Sequence, residues 1–458
     1  MSSVLVLCFE WRHFIKRPFK ILALLLFVVA GIYGLHNGAD LYHKQQLEVD
    51  RLQHEAHTAN AQLLADYEAG KQSPEGRSWI DLTNPYWALR YTNLYRFKAP
   101  SPAMVYSLGQ AEQYGYYKRV TLFSSPYDAD LSEELANPER LQTGTLDFAF
   151  VLLFLSPLLL LVLVYDLKSS ETEQGMLPLV TVQHTATTRW LAMRTTFYAL
   201  LTGLTLVTLM LYGAVLTPVL SETPVAFGNL VCYGLVYLGL WTLLYFVFLN
   251  QGKTVIGNTL VLTGLYVLLA FIIPAAVYQY VSLSKPANLM TALIDAGRDE
   301  RQELYKAPDT LIQQELEALY PELVNTVLGQ THFENQKGVR RRAIIALANA
   351  HQKTAVLDVE ASNASKNSLI KASFWYNPVA FFQNQLNIIT QTHYNNYAQF
   401  RAEIQQLVDA QASTMVFDLW EDRKVDAAQF LNYLKAFEHE LPNDGQDMKI
   451  PSEKVILD

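Results

Sequence analysis

Hydrophobic and polar positions divide this chain into five long uncharged apolar runs, residues 21–35, 148–165, 195–219, 225–251 and 254–284, set in otherwise polar sequence. A soluble protein shows short amphipathic stretches instead, so the pattern predicts five helices crossing a bilayer. Between the first two runs, residues 39–71 are free of Pro, and of Gly until Gly70, while Leu47, Leu52, Ala56, Ala59 and Leu63 recur near helical spacing. This predicts a helix continuing out of the first span; at about 1.5 Å per residue it would lift the next segment roughly 45 Å from the bilayer. Residues 72–145 carry Pro74, Pro85, Pro100, Pro102, Pro126 and Pro138 among many aromatics, which predicts a compact unit of short helices and strands. After the fifth run, helical spacing returns over 309–328, 340–355, 378–389, 394–412 and 427–440. The fold class expected is mainly α, a polytopic membrane protein with about five transmembrane helices and two large periplasmic domains.

Orientation follows from the basic flank Arg12, His13, Lys16, Arg17 and Lys20, which stays in the cytoplasm under the positive-inside rule. No small-residue cleavage site follows it, so a retained anchor is expected rather than a cleaved signal peptide. Residues 1–20 mix Val4, Leu5, Leu7, Phe9, Trp11, Phe14 and Ile15 with cations, a composition suited to an interfacial helix that Pro18 breaks from the first span, 21–35. The expected order is then a periplasmic stalk helix and subdomain (36–145), a second span (146–165), a cytoplasmic loop (166–194), spans three to five (195–284) and a periplasmic, mainly helical domain (285–458).

Composition narrows the chemistry. A net charge of -8 and a pI near 5.7 argue against nucleic-acid binding, which needs a basic surface. The two cysteines, Cys8 and Cys232, cannot staple an external domain or build a cysteine zinc site. The span interiors hold no Asp, Glu, Lys, Arg or His, so coupling to an ion gradient is not expected. Thr202, Thr205, Thr208, Thr242, Asn258, Thr259 and Thr263 either line a path or bond their own backbone. Pro157 and Pro274 should bend the second and fifth spans. Gly252-Lys253-Thr254 imitates the end of a phosphate-binding loop, but Val247 stands where its first glycine belongs, and Lys253 reads as a charge anchoring a turn.

The cytoplasmic loop is the most specific feature. Residues 165–180 are acidic where the positive-inside trend asks for cations, so the stretch needs a reason. Ser169 or Ser170 would cap a short helix with Glu171 and Glu173 in its first turns, followed by an apolar face of Met176, Leu177, Leu179 and Val180. Such a helix pressed on the membrane face is a handle for a soluble partner.

Four stretches together resemble a known family: Phe9-Glu10-Trp11-Arg12; Ser107-Leu108-Gly109-Gln110 with Tyr116-Tyr117-Lys118; residues 147–180; and Asn377-Pro378 with Phe382-Gln383-Asn384. The chain resembles permease subunits of bacterial type-2 ABC exporters, in the branch with large extracytoplasmic insertions that includes relatives of the copper-enzyme maturation permeases. The resemblance implies a Glu-x-Glu-x-Gly coupling helix that sits in a groove of the ATP-binding subunit. That maps docking of the partner ATPase onto Glu171, Glu173, Gln174, Gly175, Met176 and Leu177, with Met176 where relatives usually have Thr. Relatives also tend to close with a sixth span after the C-terminal domain, which the sequence to Asp458 does not contain. Also implied are no cofactor in this chain, ATP and Mg in the partner, cytoplasmic ABC ATPase subunits, a second permease subunit of the same or a sister chain, and membrane lipid around the spans, in a bacterial inner membrane.

Two variants fit that frame: export of an amphipathic or peptide-like substrate, and force transmission to a periplasmic protein with nothing crossing. A membrane-anchored receptor or scaffold without an ATPase is the reading from another class. Weaker candidates are His43, His54 and His57 as metal ligands on the stalk, the basic cluster Lys337 with Arg340-Arg341-Arg342 for anionic lipid or an acidic partner, and the sequon Asn363-Ala364-Ser365. No nucleophile-base arrangement emerges, so this chain is not expected to be an enzyme.

Overall fold

The computed structural model describes residues 3–74, 77–130, 146–183, 186–252, 254–284, 289–330 and 337–439; Pro138, Lys253 and the chain after 439 lie outside them. Helix α1 (Ser3–Ile15) ends just before Pro18, which opens α2 (Pro18–Glu68) at the first helical position, where its missing N–H is harmless. The first span and the stalk are therefore one unbroken helix of 51 residues, about 76 Å long. Five helices are long and apolar enough to cross a membrane: α2, α4 (Phe148–Glu173), α6 (Thr187–Leu216), α7 (Pro224–Gln251) and α8 (Val255–Ser284).

Helix α4 is the axis of this bundle. Its apolar window is 67% buried within the chain, against 22% to 33% for the other four. Pro157 removes a backbone donor inside α4, and a π turn over Val151–Leu155 absorbs the ring. The carbonyls released there are taken up by tyrosine hydroxyls from neighbouring helices. Tyr237 donates to Leu153 O at 2.6 Å and Tyr266 to Phe154 O at 3.0 Å. A carbonyl left unpaired in hydrocarbon would cost several kcal/mol. Pro274 in α8 likewise comes after a π turn, Leu268–Ile272.

The polar segments on either side of the bundle's sequence do not form two domains. Helix α3 (Pro85–Tyr91) and the antiparallel hairpin β1 (Leu94–Phe97) with β2 (Tyr117–Val120) share one core with α9 (Leu289–Lys306), α10 (Asp309–Leu319), α11 (Lys337–Ala372), α13 (Tyr394–Trp420) and α14 (Ala427–His439). Leu82, Leu89 and Val120 from the first segment pack with Ile312, Ile344, Ile404, Met415 and Phe430 from the second, and Leu63 and Tyr67 of α2 close the cluster. A two-stranded hairpin is marginal alone, and here it is completed by helices from far along the chain. Helix α12 (Pro378–Ile389) packs instead on the membrane-type bundle through Phe382 and Leu386.

Part of the first segment is carried far out on the stalk, where Tyr67 donates to Leu82 O at 2.7 Å, and part of it returns to the bundle. A helical turn over Pro102–Tyr106 lies against α2, where a Cβ added at Gly38 would come within 2.6 Å of Val105 O. Tyr106 donates to Met210 O of α6 at 2.7 Å, and Gln45 of α2 to Ala111 O at 3.3 Å. The composite domain hugs the stalk and sits directly on the bundle. Its helices also exceed the apolar pattern: α11 reaches Ala372 and α13 reaches Trp420, because partner helices hold polar turns that carry no periodic signal of their own.

Candidate partner-docking face

The loop between α4 and α6 lies at the same end of the bundle as α1. The helix expected to begin at a serine cap has no such beginning. A short helical stretch Ser169–Glu173, with Glu171 in its first turn, closes α4 after a turn at residues 165–168, but Lys168 precedes it without a side-chain cap, and Ser169 bonds back to Tyr165 O at 3.5 Å. What ends the helix is Gly175, at φ +71°. Its N–H bonds to Thr172 O at 3.1 Å and that of Met176 to Glu171 O at 2.9 Å, the paired bonds of a glycine C-cap. Helix α5 (Leu177–Gln183) comes immediately after, with Leu177 and Val180 half-buried against the bundle core.

This base is clamped by charge. Asp166, buried, meets Arg17 at 2.9 Å and Lys20 at 3.0 Å, and Lys20, fully buried, also donates to Leu163 O at 2.7 Å and lies 4.8 Å from the Tyr198 ring centroid. Arg194, also buried, forms an ion pair with Glu10 of α1 that is off the line of a hydrogen bond. It reaches Glu171 at 3.3 Å, donates to Leu167 O at 2.8 Å and stacks on Trp190 at 4.6 Å. Burying charges is tolerable only with such pairing. Three cations thus face three carboxylates at the bundle's end. Burial, then Arg17, Arg194 and Lys20, push the pKa of His13 in α1 down to about 4, so it is neutral at physiological pH.

Of the six docking residues named from sequence, Glu171 and Glu173 turn to their own chain. Glu171 takes Arg194, and Glu173 accepts the Val255 N–H at 2.8 Å at the start of α8. Lys168 bonds to Asn250 O and ties the loop to the α7–α8 turn. Gln174, Gly175 and Met176 face outward and Leu177 is half-buried. The exposed ridge runs from Met176 (46%) through Leu179 (60%), both on the apolar face expected from sequence, to Val182 (86%), which was not singled out. Its spacing of three from Leu179 is the signal that could have found Val182. The arrangement offers a partner a small apolar ridge on a base locked to α1, α2, α4, α6 and α8.

At the other end of α4, Asp147 caps the helix by accepting the Phe150 N–H at 2.8 Å, and its second oxygen accepts the Leu108 N–H at 3.1 Å. The Ser107 to Gln110 stretch is bonded in turn to the α12–α13 turn: Ser107 to Asn387 at 2.6 Å, Thr392 to Ser107 O at 3.1 Å, and Gln110 N–H to Thr392 O at 3.0 Å. Further out, buried Arg401 of α13 binds Glu360 of α11 at 2.7 Å and Asp130 at 3.2 Å, with Tyr127 donating to Glu360 at 2.7 Å. Burial raises the pKa of Asp130 to about 6, whereas the hydrogen bond and charge of Arg401 outweigh burial and hold Glu360 below the ordinary range.

The remaining candidates disperse. No group of three or more metal-ligating side chains gathers among the described residues, around His43, His54 and His57 or elsewhere, and His43 bonds to Leu216 O at 3.1 Å. Arg340 is held by Asp309 at 2.6 Å and Arg342 lies over Tyr86 at 4.8 Å, so the basic cluster is not one patch. No protein-family model, curated protein or solved structure matches this chain.

Proposed function

We propose that this chain is the permease subunit of an ATP-driven ABC complex in a bacterial inner membrane, with the face from Gln174 to Val182 seated in a cytoplasmic ATPase that holds the ATP and Mg2+. The observation that supports this most is the exposed ridge Met176, Leu179 and Val182 at the end of the bundle, rising from a base whose carboxylates Asp166, Glu171 and Glu173 are spent on clamping it. An apolar ridge on a rigid base suits a groove in a soluble partner. Closure of the ATPase would press on the ridge, and α4, the most deeply packed of the five long helices, would carry the displacement. The chain hydrolyses nothing itself and pairs with a second copy or a sister permease.

Force transmission to a periplasmic protein is the second reading, and the Asp147 junction favours it. One side chain both caps α4 and holds the outer domain through Leu108, so motion of α4 reaches that domain without a route for substrate. Affinity purification of the detergent-solubilised chain tests the shared core of both readings. An ATPase subunit co-purifies with the native chain, and Leu179→Glu with Val182→Glu abolishes this with the unfolding midpoint unchanged. Recovery of the chain without any nucleotide-binding subunit would leave a scaffold or receptor as the better account.

A further inference from the structure

Where the outer domain meets the bundle, α11, α12 with the turn after it, and the outer part of α8 line a pocket of about 250 Å3 that is open on one side. Gln110 and Gln383 with Asn384, from two of the stretches that the docking face does not use, converge on it. Its lining carries six carboxamides, the three just named with Asn363, Asn367 and Asn387, one ammonium group, Lys366, and no carboxylate.

The hydrogen-bond pattern says what these groups offer. Buried His393 accepts the Asn395 N–H on Nδ1 at 3.1 Å, so its proton sits on Nε2 and is donated to Asn384 Oδ1 at 2.8 Å. Burial and Lys371 push its pKa down, which keeps the ring neutral. Asn387 Oδ1 accepts from Ser107 at 2.6 Å. The NH2 groups of Asn384 and Asn387 are thereby left as donors, while the side chains of Gln110, Asn367 and Gln383, which both donate and accept, have no partner among the described residues. Tyr278 and Phe374 add flat apolar surface.

Each class of ligand makes a different demand. A cation calls for a carboxylate, which the lining lacks, and a phosphate is favoured by an arginine fork, where the lining has only the point charge of Lys366. An apolar ligand would leave the carboxamides dry, at roughly 1–3 kcal/mol for each unpaired group. The volume is below the about 300–1,000 Å3 of sites for drug-sized molecules, which suits a single ring.

We propose that this pocket binds one uncharged, hydroxyl-rich sugar ring, presented as a free saccharide or as the headgroup of a glycolipid. Hydroxyls donate and accept as carboxamides do, and the apolar face of the ring lies on the aromatic surface. Tyr278 belongs to a membrane-type helix, so a headgroup can reach the site. The inference does not rest on the ATPase reading.

Saturation-transfer NMR on the full chain in nanodiscs tests it, with the methyl glycosides of glucose, galactose and N-acetylglucosamine, and with dialanine and inorganic phosphate. A second arm measures retention of a diglucosyl diacylglycerol after washing. Binding of a methyl glycoside, weakened roughly tenfold or more by Asn367→Leu with Gln383→Leu at an unchanged unfolding midpoint, supports a free sugar. Glycolipid retention alone, lost in the same variant, supports the headgroup. Binding only of dialanine or only of phosphate, sugar binding indifferent to the variant, or no sugar bound in either arm overturns the proposal.

Discussion

Arg194 and Glu10 carry the residue-scale argument, because each is buried and each is the other's partner. Removing Arg194 leaves Glu10 without its cation, which costs about 3–5 kcal/mol, whereas replacing both often costs little. Arg194→Met should therefore lower the unfolding midpoint in detergent sharply, and adding Glu10→Gln should restore part of it. A second prediction concerns Asp130, whose pKa rises from 3.8 to about 6 on folding. The protonated form is the one the fold favours, so its contribution is full below pH 3.8 and is lost as pH rises through 6. The difference in stability between Asp130→Asn and the native chain should thus shift in the variant's favour as pH rises from about 4 through 6, read in a series of thermal melts. Neither pair was legible in sequence. Glu10 reads as part of a flank and Arg194 as the edge of a span, and only the packing of α1 on α6 brings them together.

Among the elements, α4 concentrates the account. Gly175 stops it at φ +71°, a conformation that glycine adopts freely, asparagine tolerates and alanine resists. Gly175→Ala should cost about 1 kcal/mol and let α4 run toward α5, misplacing Met176, Leu179 and Val182. Association with the ATPase should fall, and Gly175→Asn should retain it; pull-down of the three forms beside their unfolding midpoints checks this. The existence of α2, α4, α6, α7 and α8 was legible because long apolar runs leave few alternatives in a bilayer. The outward face of α5 was not. Leu177, Leu179 and Val180 form a short apolar run without a polar residue to mark which side faces the bundle, and Leu179 faces away. The unannounced reach of α11 to Ala372 has a similar cause, since Tyr127, Val356 and Val359 pack together there while the flanking sequence is polar.

Across the whole molecule, the two outer segments merge into one body because neither buries a core alone, and that body is bonded to the axis of the bundle through Asp147. One chain thus joins a ridge at one end to a domain at the other, which is the geometry a transmitted push requires. All of it depends on the ridge facing the cytoplasm. The most direct measurement replaces the exposed Cys8 and Cys232 by Ser, introduces Met176→Cys, and applies a membrane-impermeant maleimide to both faces of the membrane. The account predicts no labelling in intact spheroplasts and ready labelling in inverted vesicles, blocked when the ATPase is bound. Labelling of position 176 from the outside of intact spheroplasts would contradict it.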